Sequence, residues 1–375
     1  MSIIDRYLLR QFFWVFCILF CSLLGLYVVA DSVNNFEELS SYGKQNGGML
    51  GVLGEYYGYR SFAFFDQSSP LLILVAAMFT VAAFRRHNEM TALVAAGISK
   101  ARVVRPIILA TIVLALLAAA NRELLLPSVR ENLGFNAQDL VKEQAFQPMY
   151  DNGTDILIGG QSVQRRERQI LKPNFFLPRT LDRYGRQLVA ERATFIPADH
   201  QRPGGYLLDE LTQPKSLDES DSLALGGEPV IITPKDADWL GSGQCFVVSG
   251  VQFDQLAAGR AWRNFASTAE LISSLNSPSL QQSSKVQVEI HSRFIQPLLD
   301  VTLLFLGLPI VLTRNPRSLF VSVGFCVLLV VAFMITVLGC HQLGSNATIP
   351  TALAAWCPLM LFVPLAVGMS DPLRE

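Results

Sequence analysis

Glu89, Ala92 and Ala96 recur at spacings of three and four residues, which on a helix stacks them as a stripe of small side chains around one carboxylate. Met90, Leu93 and Val94 fall on an adjoining face by the same arithmetic. Such residues make and break no bonds. Their chemistry is recognition: a small, knob-like apolar face enters a groove on another protein while the acid pairs with an arginine there. Residues 88–98 are rich in strong helix formers, Glu89 sits in the first turn where a negative charge complements the helix dipole, and Gly97 permits a C-terminal turn. The competing reading is a helix resting on lipid with Arg85, Arg86, Arg102 and Arg105 on headgroups. Composition alone does not separate the two.

The flanks of the Arg85–Pro106 segment are apolar. Phe12–Ala30 is 19 residues without a charge, close to the roughly 20 that an α-helix needs to cross a bilayer. Pro70–Phe84 is a second, shorter run that Tyr56–Phe65 lengthens into a tilted or kinked helix, and Ile107–Ala120, continuing toward Leu126, is a third. Phe294–Leu312, Leu319–Cys340 and Ile349–Gly368 complete six spans, an even number that puts both ends of the chain on one side. Arg6, Arg10 and Val28-Val-Ala30 also fit a signal peptide, but the apolar run exceeds the roughly 7 to 15 residues of such a region. The first span is therefore expected to stay as an anchor.

Lys and Arg counted near the spans give the orientation. One side holds Arg6, Arg10, Arg85, Arg86, Lys100, Arg102, Arg105, Arg314, Arg317 and Arg374, while the short loops opposite hold Lys44 and Arg60. Arg122 and Arg293 border a long segment, where charge has less influence. The first set is expected in the cytoplasm, with the helix around Glu89 among it. The long segment between spans three and four is then expected outside the cytoplasm.

The expected domains are residues 1–126 with spans one to three and a cytoplasmic helix at 85–105, a β-domain outside the cytoplasm at 127–290, and spans four to six at 291–375. At 51% hydrophobic and 16% charged, the composition suits a chain partly inside lipid, and a net charge of −1 gives no reason to expect nucleic acid. Within the middle segment, Asp155–Gly159, Gln187–Ile196, Gly205–Leu211 and Cys245–Val251 are strand-length, separated by turns such as Asp151-Asn-Gly, Pro203-Gly-Gly and Gly226-Gly. An all-β sandwich or open roll is expected there, with one short helix at Ala266–Leu275. Cys245 is the single cysteine of this domain, so no intrachain disulfide staples it.

No phosphate-cradling Gly-x-x-x-x-Gly-Lys-Ser/Thr occurs, nor Gly-x-Ser-x-Gly, His-Glu-x-x-His or Cys-x-x-Cys, and His87, His200, His291 and His341 are scattered. The sequence supports no catalysis, cofactor or metal site, so any ATP hydrolysis is expected in a separate protein.

The string Arg86-His-Asn-Glu-Met-Thr-Ala-Leu-Val-Ala-Ala-Gly-Ile-Ser99 closely resembles the segment after the second span of the LptF/LptG permeases of lipopolysaccharide transport. Glu289-Ile-His-Ser-Arg-Phe-Ile-Gln-Pro-Leu-Leu299, with Leu306-Gly-Leu-Pro-Ile310, is similar to that family's fourth span, and Leu126-Pro-Ser-Val-Arg to its exit from span three. The resemblance implies six transmembrane helices with a jellyroll-like periplasmic β-domain between the third and fourth. It implies a second six-span permease, a cytoplasmic LptB-like ABC ATPase, an LptC/LptA-like periplasmic bridge and a glycolipid substrate. By the same resemblance, Glu89, Met90, Ala92, Leu93, Ala96 and Gly97 would couple the ATPase to the spans.

The chain also departs from the pattern. Family members hold the substrate's phosphates with basic residues near the outer end of span one, where this chain has Asp31, Glu37 and Glu38, with Lys44 and Arg60 further on. Either the substrate is less phosphorylated or the partner permease binds the phosphates. Asp300, about seven residues into span four, is the fourth polar candidate for the lipid cavity, beside Asp31, Lys44 and Arg60. It either contacts His341 or Asn121 in the lipid path or reaches water near the interface. A different class of function remains open to the sequence: a membrane-anchored periplasmic scaffold or envelope sensor with no ATPase partner.

Overall fold

The computed structural model describes residues 3–45, 48–133, 144–164, 167–199, 202–214, 217–258, 262–275, 283–313 and 319–370. Arg314, Arg317, Arg374 and His200 lie outside these residues. The chain divides into two compact units, one of Met1–Asn34, Gly54–Val129 and Ser284–Glu375, the other of Asn35–Leu53 and Arg130–Ser283.

The first unit is helical: α1 (Ile3–Asn34), then, beyond a short α2 (Phe36–Gln45), α3 (Met49–Arg86), α4 (Glu89–Ala95) and α5 (Lys100–Ala120). A π-turn at Asn121–Leu125 leads into α6 (Leu126–Leu133). Three short helices, α7 (Phe253–Ala258), α8 (Trp262–Phe265) and α9 (Thr268–Leu275), belong to the second unit, and α10 (Ser283–Thr313), α11 (Leu319–Ser345) and α12 (Thr351–Met369) come after it. Among the described residues six helices are long and apolar enough to cross a membrane: Ile3–Asn34, Met49–Arg86, Lys100–Arg130, Ser284–Leu312, Val327–Ser345 and Thr351–Met369. The second is longer than its Pro70–Phe84 core, a single helix through Glu55, Arg60, Asp66 and Pro70.

Lipid offers no partners for loose backbone groups, and the hydroxyl residues show how the helices meet that demand. Pro70 cannot donate to the carbonyl four residues back, at Asp66, and the Ser69 hydroxyl donates to that oxygen instead at 3.3 Å. Thr80, Thr302 and Thr336 likewise donate to the carbonyls of Ala76, Leu298 and Ala332 at 2.7 to 2.9 Å. Rings fasten α1 to α3: Phe20 meets Phe65 edge-on at 5.9 Å and Tyr27 stacks on Phe64 at 5.4 Å. The apolar core runs from Leu8 and Phe12 through Ile73, Ala77 and Val104 to Leu303, Leu306 and Leu359.

The second unit is built on one antiparallel sheet. Its strands are β1 (Gln144–Ala145), β2 (Met149–Asp151), β3 (Ile156–Gly159), β4 (Ser162–Gln164), β5 (Gln169–Leu171), β6 (Asn174–Phe176), β7 (Gln187–Ile196), β8 (Gly205–Gln213), β9 (Leu223–Leu225), β10 (Glu228–Ile232) and β11 (Cys245–Val248). The order β1-β4-β5-β7-β8-β11-β10-β9, with β2-β3-β6 continuing onto β7, joins every strand into one sheet. That is an open roll rather than a two-sheet sandwich. Along β7, β5 pairs with one half and β6 with the other, so two short strands share the edge of a long one.

The roll's inner side is a core of Ile156, Ile158, Ile170, Phe175, Leu188, Ala193, Tyr206, Leu208, Ile231 and Val247. Gly226 and Gly227, at φ 62° and 94°, join β9 to β10 by a two-residue turn that needs left-handed backbone at both positions. The helix expected at Ala266–Leu275 is α9, starting two residues later because Ser267 caps it. The Ser267 Oγ accepts from Glu270 N–H at 3.2 Å while Glu270 accepts from Ser267 N–H at 2.9 Å, a reciprocal capping box. Arg130 then binds Glu270 at 2.7 Å and Asp254 at 2.9 Å.

Cys245 lies wholly inside the roll's core, and burial pushes its thiol up to about 12. At pH 8 it is therefore protonated as well as shielded, and since only thiolate reacts, alkylation should wait for unfolding. Peptide mapping after N-ethylmaleimide treatment should find Cys245 unmodified in the folded chain and fully modified in denaturant; equal labelling in both states would contradict this burial.

Candidate functional site

Glu89 opens α4, a helix of two turns between the last residues of α3 and the first of α5. Asn88 before it takes a left-handed backbone, φ 61°, which reverses the chain out of α3. At the other end Gly97, at φ 80°, lets its own N–H reach Val94 O at 3.0 Å and the Ile98 N–H reach Leu93 O at 3.0 Å. These two bonds are a Schellman ending, and Leu93 and Ile98 both pack on the membrane unit's core as that motif prefers. Ser99 then caps α5, accepting from Arg102 N–H at 3.4 Å.

Two of the proposed contact residues turn inward. Met90 is 6% exposed and Leu93 half-buried, both against the chain's own helices, so they fasten α4 rather than present it. Outward are Thr91, Ala92, Val94, Ala95, Ala96 and Gly97, with Glu89 half-buried at the edge of that small-residue surface. Arg85, at the foot of α3, donates from Nη1 to the Val311 carbonyl and so satisfies one of the open oxygens near the end of α10. Met90, Leu93 and Ile98 thus attach α4 to the membrane unit's core.

Two of the four polar candidates, Asp31 and Arg60, share one cluster of the membrane unit. Asp31 accepts from the Tyr57 hydroxyl at 2.9 Å, and the Ser32 hydroxyl donates to the same phenol at 3.0 Å. Nearby, Arg60 lies 4.3 Å over the Tyr56 ring, donates to Tyr27 Oη at 3.2 Å, and is within electrostatic reach of Asp31. Asp31 and Arg60 are therefore brought together on α1 and α3 in a cluster lined by tyrosines. Lys44 is exposed at the end of α2, in the other unit.

Asp300 is 6% exposed, and its oxygen accepts from the Gln296 amide at 2.8 Å, one helical turn away. That bond replaces the contact expected with His341 or Asn121: the Asn121 amide instead donates to Phe62 O at 3.0 Å. A helix puts positions four apart on one face, which gives Gln296 the advantage. Asp300 also lies within electrostatic reach of Arg122 and Asp66.

Sequence reasoning missed that last pair. Arg122 Nε binds both oxygens of Asp66 at 2.9 and 3.1 Å, joining the π-turn to α3. Arg293, its side chain 3% exposed, binds Glu289 at 3.1 Å and reaches Glu123 at 3.7 Å. The available signal was Asp66 itself, a lone acid between the apolar runs Tyr56–Phe65 and Pro70–Phe84, which in lipid requires a partner.

Two concave surfaces accompany these groups. In the membrane unit α5, α10 and α12 border an apolar groove of about 790 Å³, lined by residues including Ile112, Leu116, Pro297, Val301, Trp356 and Met360. In the other unit a mixed cleft of about 520 Å³ lies among Arg168, Phe195, Val248, Gln252, Phe253 and Asp254.

No curated protein matches the chain at a significant level. A family model does, described as lipopolysaccharide export system permease LptF/LptG, over residues 6–155 and 211–370. The unmatched interval covers β3 to β7 and the first part of β8, so the match is carried by the membrane helices, α4 and the ends of the roll. With six membrane helices, the roll inserted between the third and fourth, and a family match across most of its length, this multi-pass membrane protein belongs to the LptF/LptG family of lipopolysaccharide export permeases.

Proposed function

We propose that the chain is one permease of an ABC transporter, extracting lipopolysaccharide or a related glycolipid from the inner membrane and handing it to the β-roll. The observation that carries this is α4: its small-residue face stands exposed beside Glu89 while Met90 and Leu93 are sunk into the spans. A helix merely resting on lipid would turn its apolar side chains to the bilayer and its charges to water. Here the larger apolar side chains Met90 and Leu93 face the chain's own core, and the exposed residues are Thr91, Ala92, Val94, Ala95, Ala96 and Gly97. A cytoplasmic LptB-like ATPase receives that face, and closure of its groove moves α3 and α5. A second six-span permease completes the lipid cavity, with Asp31, Arg60 and Asp300 among this chain's polar contributions, and a periplasmic LptC/LptA-like bridge takes the glycolipid onward. Residues 85–105 act as the coupling segment, 127–290 as the periplasmic domain, and 1–126 and 291–375 as the membrane halves.

Purification of the tagged chain from its native membrane in mild detergent tests the proposal. An ABC-type ATPase and a second permease of the same plan should be retained, with ATP-dependent release of glycolipid from reconstituted vesicles. Recovery of the chain without any ATPase, together with ATP-independent behaviour, would return it to the scaffold or sensor class.

A further inference from the structure

Near the turn of the hairpin of α11 and α12 stand two thiols, Cys340 and Cys357, that nothing in the transport reading uses. The turn is tight: Ala347, at φ 55°, donates to Gly344 O at 3.0 Å, and Thr348 donates to Leu343 O at 3.0 Å. Just inside it the two backbones meet, because a Cβ built on Gly344 would stand 2.3 Å from the Ala354 Cβ. Only glycine opposite alanine allows that approach. One turn further in along each helix come Cys340, four residues before Gly344, and Cys357, three residues after Ala354. In an antiparallel pair these steps stay opposite one another, and the Cys340 and Cys357 thiols lie within interaction range of each other. Both are free and half-exposed. Cys17 and Cys21 project from a single helix and Cys245 is sealed in the roll's core, so none of these three is placed like the hairpin pair.

A disulfide needs its two Cα atoms about 4.4 to 6.8 Å apart with the side chains directed at each other. Backbones held in contact one turn away, at Gly344 and Ala354, bring the two cysteines opposite each other on facing helices, the arrangement that such a bond needs. Cys357 lies six residues into α12, about 9 Å along the axis at 1.5 Å per residue. The Lys and Arg asymmetry puts this end of the hairpin on the side away from the cytoplasm, where disulfides persist.

We propose that Cys340 and Cys357 are a disulfide-forming pair that staples α11 to α12. The thiolate of one attacks the disulfide of an oxidant, a protein disulfide of that compartment, and expels one thiolate. The second cysteine then attacks the mixed disulfide, so the S–S bond forms here as two protons leave, and the oxidant takes the two electrons as a dithiol. The staple closes a loop whose ends are already together, so it should raise resistance to unfolding without changing the fold.

The test uses the full chain in membranes with Cys17, Cys21, Cys245 and Cys326 replaced by alanine. Treatment with diamide, a membrane-permeant oxidant, is followed by denaturation and maleimide-polyethylene glycol. The expected result is no adduct after oxidation, two after dithiothreitol, and one under either condition for Cys340→Ala or Cys357→Ala. Peptide mapping should show the 340–357 link within one chain. Two adducts after oxidation would overturn the proposal, as would a link between chains or loss of the adduct in the single-cysteine variants. Should the quadruple variant fail to insert, mapping of the oxidised wild-type chain decides the same question: a 340–357 peptide supports the pair, and its absence removes it.

Discussion

Arg122→Met is expected to destabilise the membrane unit by about 3 kcal/mol, the lower end of the loss caused by removing one partner of a buried ion pair. The size comes from the acid left behind. Asp66 would be left inside a transmembrane helix, either charged or paying to take up a proton, with Asp300 within electrostatic reach and the guanidinium that bound both its oxygens gone. The lower end applies because the two side chains retain 21% and 16% exposure, enough for some water to help. The double variant Arg122→Met/Asp66→Leu should recover at least half the loss, since apolar replacement of a whole pair is close to neutral. Thermal unfolding in detergent, followed by size-exclusion fluorescence, reads both. Equal losses for single and double variants would show that Asp66 does not depend on Arg122.

Glu89→Arg should have the largest effect on activity while leaving the fold in place. Met90, Leu93 and Ile98 attach α4 to the spans and are untouched, so the variant should insert normally with its melting temperature unchanged. A hydrogen bond to a charged group contributes about 1.5 to 3 kcal/mol, so Glu89→Gln should weaken ATPase association roughly 10- to 100-fold. Glu89→Arg adds repulsion and should abolish it. Quantitative copurification and vesicle transport should fall together, and survival of both would mean that the ATPase does not read Glu89. Met90→Ala supplies the contrast, a variant expected to lower stability by loosening α4 and to weaken association only in proportion.

The two halves of the chain are legible in the sequence to different degrees. Charge-free runs locate the spans because nothing else in a globular chain requires such lengths. The second is obscured by Glu55, Arg60 and Asp66, of which Arg60 and Asp66 find partners on other helical segments, Tyr27 and Arg122. Gln187–Ile196 is legible to the residue because its ten residues carry strand formers at Val189, Thr194, Phe195 and Ile196, whereas β1, β4, β5 and β6, at two or three residues, are too short to show a pattern. At the site, the stripe of Glu89, Ala92 and Ala96 follows from spacing alone. The inward turn of Met90 does not, since periodicity tells which residues share a face and not which body that face meets. Asp66 and Arg122 are 56 positions apart, on elements whose relative rotation only the folded bundle fixes.

That rotation is set by the π-turn at Asn121–Leu125. A helix with more residues per turn spreads consecutive side chains over a narrower arc. Three adjacent polar residues, Asn121, Arg122 and Glu123, consequently share the inward sector, and Leu124 and Leu125 receive the outward one, 70% and 44% exposed. Deleting one residue here would leave the composition of the span almost intact and still turn a charge toward the acyl chains. The geometry of a single turn, rather than any hydropathy score, decides on which side of the protein–lipid boundary those charges stand.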